Sequence, residues 1–294
     1  MADPLTTAAR EREGYVELNE NRTFYIERGG GEGVPIILVH GWSLDVTYWR
    51  QVMDHLPPGV RVWAYDLRGM GQSSGGETPY RFELLVDDLE AFRQTFGIDR
   101  PLVCGHSLGG DLAAQYAVSF PGRAASFVLI DAPGRPNLLI NPIVAFLLRV
   151  ALPLLKWLGM KQPLKLLVPL LRILFFSPAW RRNHPRELVA WRWQFLQSNV
   201  HAIVNALAAE AYRRVLRLAL QEVTEPVTVV RGSRDLIVSQ RQADSFVRCI
   251  ANSTFKLLRG SGHMTPVERP AELAEIIAEA AAALASSRAA LPGP

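Results

Sequence analysis

Four short apolar runs, at residues 35–39, 60–65, 102–104 and 126–130, alternate with stretches of helical periodicity at 48–56, 81–96 and 111–120. A strand that is apolar at every position is buried on both faces, which requires a sheet with helices packed on either side. The repeated β-α units therefore predict a mostly parallel, doubly wound sheet of the α/β class. Ahead of these units, residues 14–18 and 23–28, joined by the polar 19–22, predict an antiparallel hairpin. Near the end, strands at 227–231 and 254–258 with helices at 240–250 and 271–284 resume the rhythm and bring the sheet to eight strands. Sheets of this kind place their sites at the carboxyl ends of strands.

Between residues 133 and 227 the rhythm is suspended, and the stretch reads as a helical insertion. Residues 1–136 and 223–287 then form one α/β body, 137–222 a helical cap, and 288–294 a disordered tail. Charge separates the parts: residues 137–222 hold 12 Lys and Arg against 3 Glu, or +9, in a chain of 32 basic and 28 acidic residues. The rest carries 20 basic and 25 acidic residues, or −5. The cap is also apolar, and four of the seven tryptophans, Trp157, Trp180, Trp191 and Trp193, lie in it. Arg149 and Lys156 are seven apart, as are Lys165 and Arg172, so each pair shares a helical face amid Leu, Ile, Val and Phe. Two readings stay open: a cap that packs its apolar faces on the body over a greasy pocket, or one that docks on an anionic membrane surface. Prolines and charges interrupt residues 138–160, which argues against a transmembrane span. The scattered charges do not form the polar patch of a nucleic-acid binder, so none is expected as a partner.

At 49% hydrophobic residues the chain buries a sizeable core. Its two cysteines, Cys104 and Cys249, offer neither a disulfide framework nor a ligand pair and read as buried small residues. The polar first fourteen residues hold no apolar signal core, so a cytoplasmic location is expected. His55, His184 and His201 lack metal-ligand spacing, and the glycines at 29–33 lack the flanks of a dinucleotide site, so no metal or other cofactor is inferred.

Gly105-His106-Ser107-Leu108-Gly109 joins the strand at 102–104 to the helix that follows, the context of a nucleophile elbow. A serine hydroxyl is a weak nucleophile until a base takes its proton, and the base needs a third group to hold it. Asp235, in Gly232-Ser233-Arg234-Asp235, follows one strand and His263, in Gly260-Ser261-Gly262-His263, follows the next. Asp131 also ends a strand and is the alternative acid; Asp235 is preferred.

With His40-Gly41-Trp42 after the third strand and Asp66 to Ser73 after the fourth, these motifs stand in an order that resembles the α/β-hydrolase fold superfamily over residues 15–284. The resemblance implies Ser107 as nucleophile, His263 as general base and then acid, and Asp235 as the orienting carboxylate. It also implies an oxyanion hole made of the backbone N–H groups of Trp42 and Leu108. Asp66 and Arg68 are expected to tie down a loop, and His40 and His106 to orient backbone. The expected activity is that of a serine esterase or lipase-like hydrolase cleaving a small apolar ester. Carbon–carbon bond hydrolysis or acyl transfer with the same triad is the enzymatic alternative, and a non-catalytic ligand receptor the other. Acyl-chain length, alcohol group and oligomeric state are not legible in these motifs.

Overall fold

A computed structural model describes residues 11–31, 33–77, 80–134, 150, 151, 154, 157, 163–212 and 216–289 of the chain. Eight strands form one sheet in the order β1-β2-β4-β3-β5-β6-β7-β8: β1 (Glu11–Leu18), β2 (Asn21–Arg28), β3 (Ile36–Val39), β4 (Val62–Tyr65), β5 (Leu102–His106), β6 (Ser126–Ile130), β7 (Val227–Gly232) and β8 (Ser253–Leu258). β1 and β2 pair antiparallel, as do β2 and β4, and every other pairing is parallel. The mostly parallel eight-stranded sheet with its antiparallel hairpin is thus the fold expected from the sequence.

The uninterrupted apolar runs have the cause assigned to them. In β3, Ile37 and Val39 enter one core while Ile36 and Leu38 enter the other, and in β6, Phe127 and Leu129 oppose Val128 and Ile130 in the same way. Helices α1 (Arg50–His55), α2 (Phe82–Thr95), α3 (Leu108–Ser119), α8 (Gln240–Cys249), α9 (Thr265–Glu268) and α10 (Pro270–Ala289) belong to the body. The described part of the insertion is helical too: α4 (Val168–Phe175), α5 (Pro178–Asn183), α6 (Pro185–Gln197) and α7 (Val200–Tyr212).

Three details differ from expectation. The hairpin turn is two residues long, because Asn19 and Glu20 both take left-handed φ, at 45° and 62°, and the ladder runs on to Leu18 opposite Asn21. The helix expected at 48–56 splits into a 3-10 turn, Val46–Trp49, capped by the Asp45 carboxylate, and α1. The terminal helix reaches Ala289, since nothing before Pro292 breaks it, so the tail expected from residue 288 is helical at its start; residues 290–294 lie outside the described residues. Arg149 and Lys156 also lie outside them. Lys165 sits in a 3-10 turn, Pro163–Leu166, and Arg172 in α4, so that pair does not share one continuous helix.

β3 lies between β4 and β5, with Val39 opposite Gly105, and there the connections leave in opposite directions along the sheet. A crevice opens outside the carboxyl ends of strands at such a switch point. Here it receives His40-Gly41-Trp42 from one strand and Ser107 from the next. The elbow needs glycine on both sides of the serine: a methyl on Gly105 would strike the carbonyl of Gly109, and one on Gly109 the carbonyls of Val39 and His40. Gly105→Ala should therefore force β5 and α3 apart, lowering the thermal unfolding midpoint by about 5 °C or more. A midpoint equal to wild type in a melting experiment would contradict this packing.

Candidate active site

Ser107 sits between β5 and α3 with φ 52° and ψ −117°, a conformation few non-glycine residues adopt. Its amide donates to the Ile130 carbonyl (2.8 Å), and its own carbonyl accepts from Gly110 and Asp111 in the first turn of α3. The strain is thus held by backbone bonds on both sides and turns the hydroxyl out of the strand line. Asp235 comes from the loop after β7 and His263 from the loop after β8, as the spacing predicts. The three side chains form one hydrogen-bonded line, with Ser107 Oγ 3.0 Å from His263 Nε2 and His263 Nδ1 2.9 Å from Asp235 Oδ2.

Electrostatics set the direction of this line. Burial opposes the charge of Asp235, but His263 and the amides of Val238 and Ile237 outweigh it and hold the carboxyl below its ordinary value. Those amides reach Oδ1 at 2.9 and 2.7 Å. An ionised carboxylate only accepts, so His263 Nδ1 carries the proton and Nε2 presents a lone pair to the Ser107 hydroxyl. Asp131, the alternative acid, has a different environment. Its Oδ1 takes the Gly232 amide (2.8 Å) and its Oδ2 lies 4.0 Å from His106 Nε2. Burial first, and then the charge of Asp235, drive its carboxyl well above the usual range, which favours the neutral form.

The amide of Leu108, at the start of α3, has no acceptor within the helix, and the turn at Gly41 and Trp42 lies against the elbow. A methyl on Gly41 would come 2.9 Å from His106 Nδ1 and 3.1 Å from Ser107 Cβ. His40 pins that turn: its Nδ1–H donates to the Gly41 carbonyl (2.8 Å), and its Nε2 accepts the Leu67 amide (2.9 Å). Burial lowers its pKa to about 4, which keeps the ring neutral in that tautomer. His106 donates from Nε2 to the carbonyl of His263 (2.8 Å); burial and the neighbouring His263 bring it to about 3. Asp66 accepts the amides of Val46 and Gln72, and Arg68 pairs with Asp88, so both secure loops. His55 and His201 are exposed, while His184 stacks on Trp180. Cys104 and Cys249 are buried and free. Among the described residues no cluster of His, Cys, Asp or Glu could hold a metal ion.

The insertion contributes groups that the motifs do not reveal. The Phe175 carbonyl, at the end of α4, accepts the amides of both His263 (2.8 Å) and Met264 (3.1 Å). The buried Glu268 carboxylate takes the amides of Ser177 (3.2 Å) and Gly262 (3.1 Å), closing the same latch. Trp42 donates its indole N–H to the Ile203 carbonyl in α7 (2.7 Å). An aromatic arc runs from Trp42 through Phe195 and Trp191 to Phe175 and the His263 ring, with centroids 5.7 to 6.3 Å apart. No local signal could have paired Ser177 with Glu268, 91 residues on.

A family profile described as the alpha/beta hydrolase fold matches residues 34–270, and the chain belongs to that family. It is 25% identical to the AB hydrolase superfamily protein YisY of Bacillus subtilis over 282 residues, 90% of this chain and 97% of that protein. Over 135 residues, 44% of this chain and 40% of the other, it is 34% identical to the human (lyso)-N-acylphosphatidylethanolamine lipase. Among solved structures, the enol-lactonase from Burkholderia xenovorans superposes with a TM-score of 0.82 at 22% identity, covering 91% of this chain and 99% of that one. The esterase from Thermogutta terrifontis superposes with a TM-score of 0.76 at 24% identity, covering 94% and 99%. At such identities the shared property is the fold.

The opposed carboxylates give a sign to pH dependence. A carboxyl raised on folding stabilises fully below its ordinary value of 3.8, and that contribution is lost as pH rises through the folded value. Asp131→Asn removes this loss, so thermal melts from pH 4 to 8 should show the variant gaining stability relative to wild type as pH rises. A difference that stays flat or shrinks would mean that Asp131 is ionised.

Proposed function

We propose that this protein is a serine hydrolase that cleaves an apolar carboxylic ester through an acyl-enzyme intermediate. The observation that carries the reading is the hydrogen-bonded line from Ser107 through His263 to an ionised Asp235. In acylation His263 Nε2 takes the hydroxyl proton as Ser107 Oγ bonds to the ester carbonyl carbon. The negative charge that gathers on the carbonyl oxygen is met by the amides of Trp42 and Leu108. Asp235 stabilises the imidazolium formed and holds its ring. That imidazolium then passes its proton to the departing alkoxide, leaving an acyl group on Ser107. In deacylation His263 takes a proton from water, the hydroxide adds to the acyl carbon, and the proton returns to Ser107 as the acid leaves. Each half-reaction, acylation and deacylation, returns the line to its starting protonation.

The aromatic arc supports an apolar acyl or alcohol group, because it runs from Trp42 through Phe195 and Trp191 to Phe175, whose ring lies against the His263 ring, and offers few polar partners. A lipase among the similar sequences and an esterase among the similar structures point the same way, as their names denote ester cleavage. Serine at the elbow further favours acyl transfer through an ester intermediate.

Medium-chain nitrophenyl esters should be turned over, and a fluorophosphonate should label Ser107. Ser107→Ala should lose labelling and lower kcat by about 10⁴ or more, since members of a triad act as a unit. Asp235→Asn should cost about 10⁴ in kcat, whereas Asp131→Asn should stay within a few-fold of wild type, its amide matching the uncharged form that burial favours. Folded wild-type protein that neither hydrolyses esters nor takes the label would sink the reading, and an inverted Asp131 and Asp235 pair would reassign the acid.

A further inference from the structure

The outer face of α4 has no partner among the described residues. Its inner residues Val168, Leu171 and Leu174 pack on the core and Phe175 is buried, as an amphipathic helix requires. Leu170 and Ile173 point the other way and are 55% and 46% exposed, continuing from Leu166 at 60%. In the preceding helical residues, Val150, Leu154 and Trp157 repeat the spacing of one helical face, and all are exposed, Trp157 at 81%. Isolated exposed apolar residues are ordinary, but two such stripes in one segment are not.

Charge identifies what would cover them. Lys165 and Arg172 are exposed beside the α4 stripe, and residues 163–212 carry six Lys and Arg against two Glu. The insertion as a whole is +9 and the rest of the chain −5. This asymmetry orients the insertion toward a negative surface, and basic side chains flanking an aliphatic and tryptophan-bearing stripe suit a lipid interface. A second copy meeting this face about a two-fold axis would bring like charge against like. Among the described residues no helix is long and apolar enough to cross a membrane, so the contact is a peripheral one.

We propose that the outer face of α4, with Leu166, Leu170, Ile173, Lys165 and Arg172, docks this protein on an anionic phospholipid surface. The inference rests on the ester hydrolase reading where it concerns substrate: the esters attacked are those of lipids held at that surface. α4 is placed for this, because it ends at Phe175, whose carbonyl holds the His263 backbone and whose ring lies 5.7 Å from the His263 ring. A docked α4 therefore sets the membrane one helix away from the reacting atoms.

The test uses the full chain carrying Ser107→Ala, so that vesicles are not consumed, and co-sedimentation with phosphatidylcholine vesicles with or without phosphatidylglycerol. Binding should require phosphatidylglycerol and weaken as salt rises. Arg172→Gln should lower partitioning about fivefold, and Leu170→Asp with Ile173→Asp more than tenfold. In the catalytically intact background the latter pair should keep the wild-type melting temperature and rate on a soluble nitrophenyl ester. Vesicle binding that ignores phosphatidylglycerol and salt, or that the double substitution leaves unchanged, overturns the proposal. So does a dimer in sedimentation velocity that the double substitution dissociates. Failure of the hydrolase reading is seen separately, as absence of fluorophosphonate labelling in protein that still binds vesicles.

Discussion

The close crossing of β5 and α3 at Gly105 and Gly109 is the constraint on which the rest of the site depends. With no side chain at either position, α3 starts directly over the end of its own strand and against the end of β3. Only then does the turn between them become tight enough to force Ser107 to φ 52°. The strain is small beside the cores that enforce it: β5 is buried throughout, and nine of the twelve α3 residues are buried. Because β3 is its parallel neighbour, the same crossing lays the Gly41 and Trp42 turn against the serine. In the proposed reaction, Ser107 and the amides of Trp42 and Leu108 would thus share one rigid junction, with the donors aimed at developing charge.

Around this junction, two buried carboxyl groups are shifted in opposite directions. Asp235 has two amides on one oxygen and His263 on the other, while for Asp131 burial and the charge of Asp235 outweigh the Gly232 amide, the Thr265 hydroxyl and the charge of His263. Two negative charges in one low-dielectric space would repel strongly, so ionisation of the better hydrogen-bonded carboxyl favours the neutral form of the second. Three histidines divide in the same way. His40 and His106 are held neutral by burial and serve as fixed struts, which leaves His263 as the ring aligned between an acid and a hydroxyl.

The insertion is wired into this site through backbone and cannot be regarded as a cover laid over a finished one. Phe175, Ser177 and Glu268 fasten it to the loop that carries His263, and the Trp42 indole fastens it to the turn at Gly41 and Trp42. A displacement of α4 or α7 would therefore be felt at both ends of the reaction centre.

How much of this was legible before any coordinates follows from the range of each signal. Burial on both faces writes itself into consecutive residues, so β3, β5 and β6 and the order of Ser107, Asp235 and His263 could be read from the chain alone. The two-residue turn at Asn19 and Glu20 escaped, because no glycine marks the left-handed pair. The continuation of the last helix to Ala289 escaped too, because Ser286, Ser287 and Arg288 do not announce a helix. The sequence by itself determined the sheet, the elbow and the residue types at each strand end, since these rest on local sterics and period. Only the tertiary structure decided which carboxylate meets His263, which one stays neutral, and how the insertion grips the histidine loop. Those outcomes turn on distances between residues about 30 to 100 apart in the chain and on the solvation of buried charge, and neither is encoded in any one stretch.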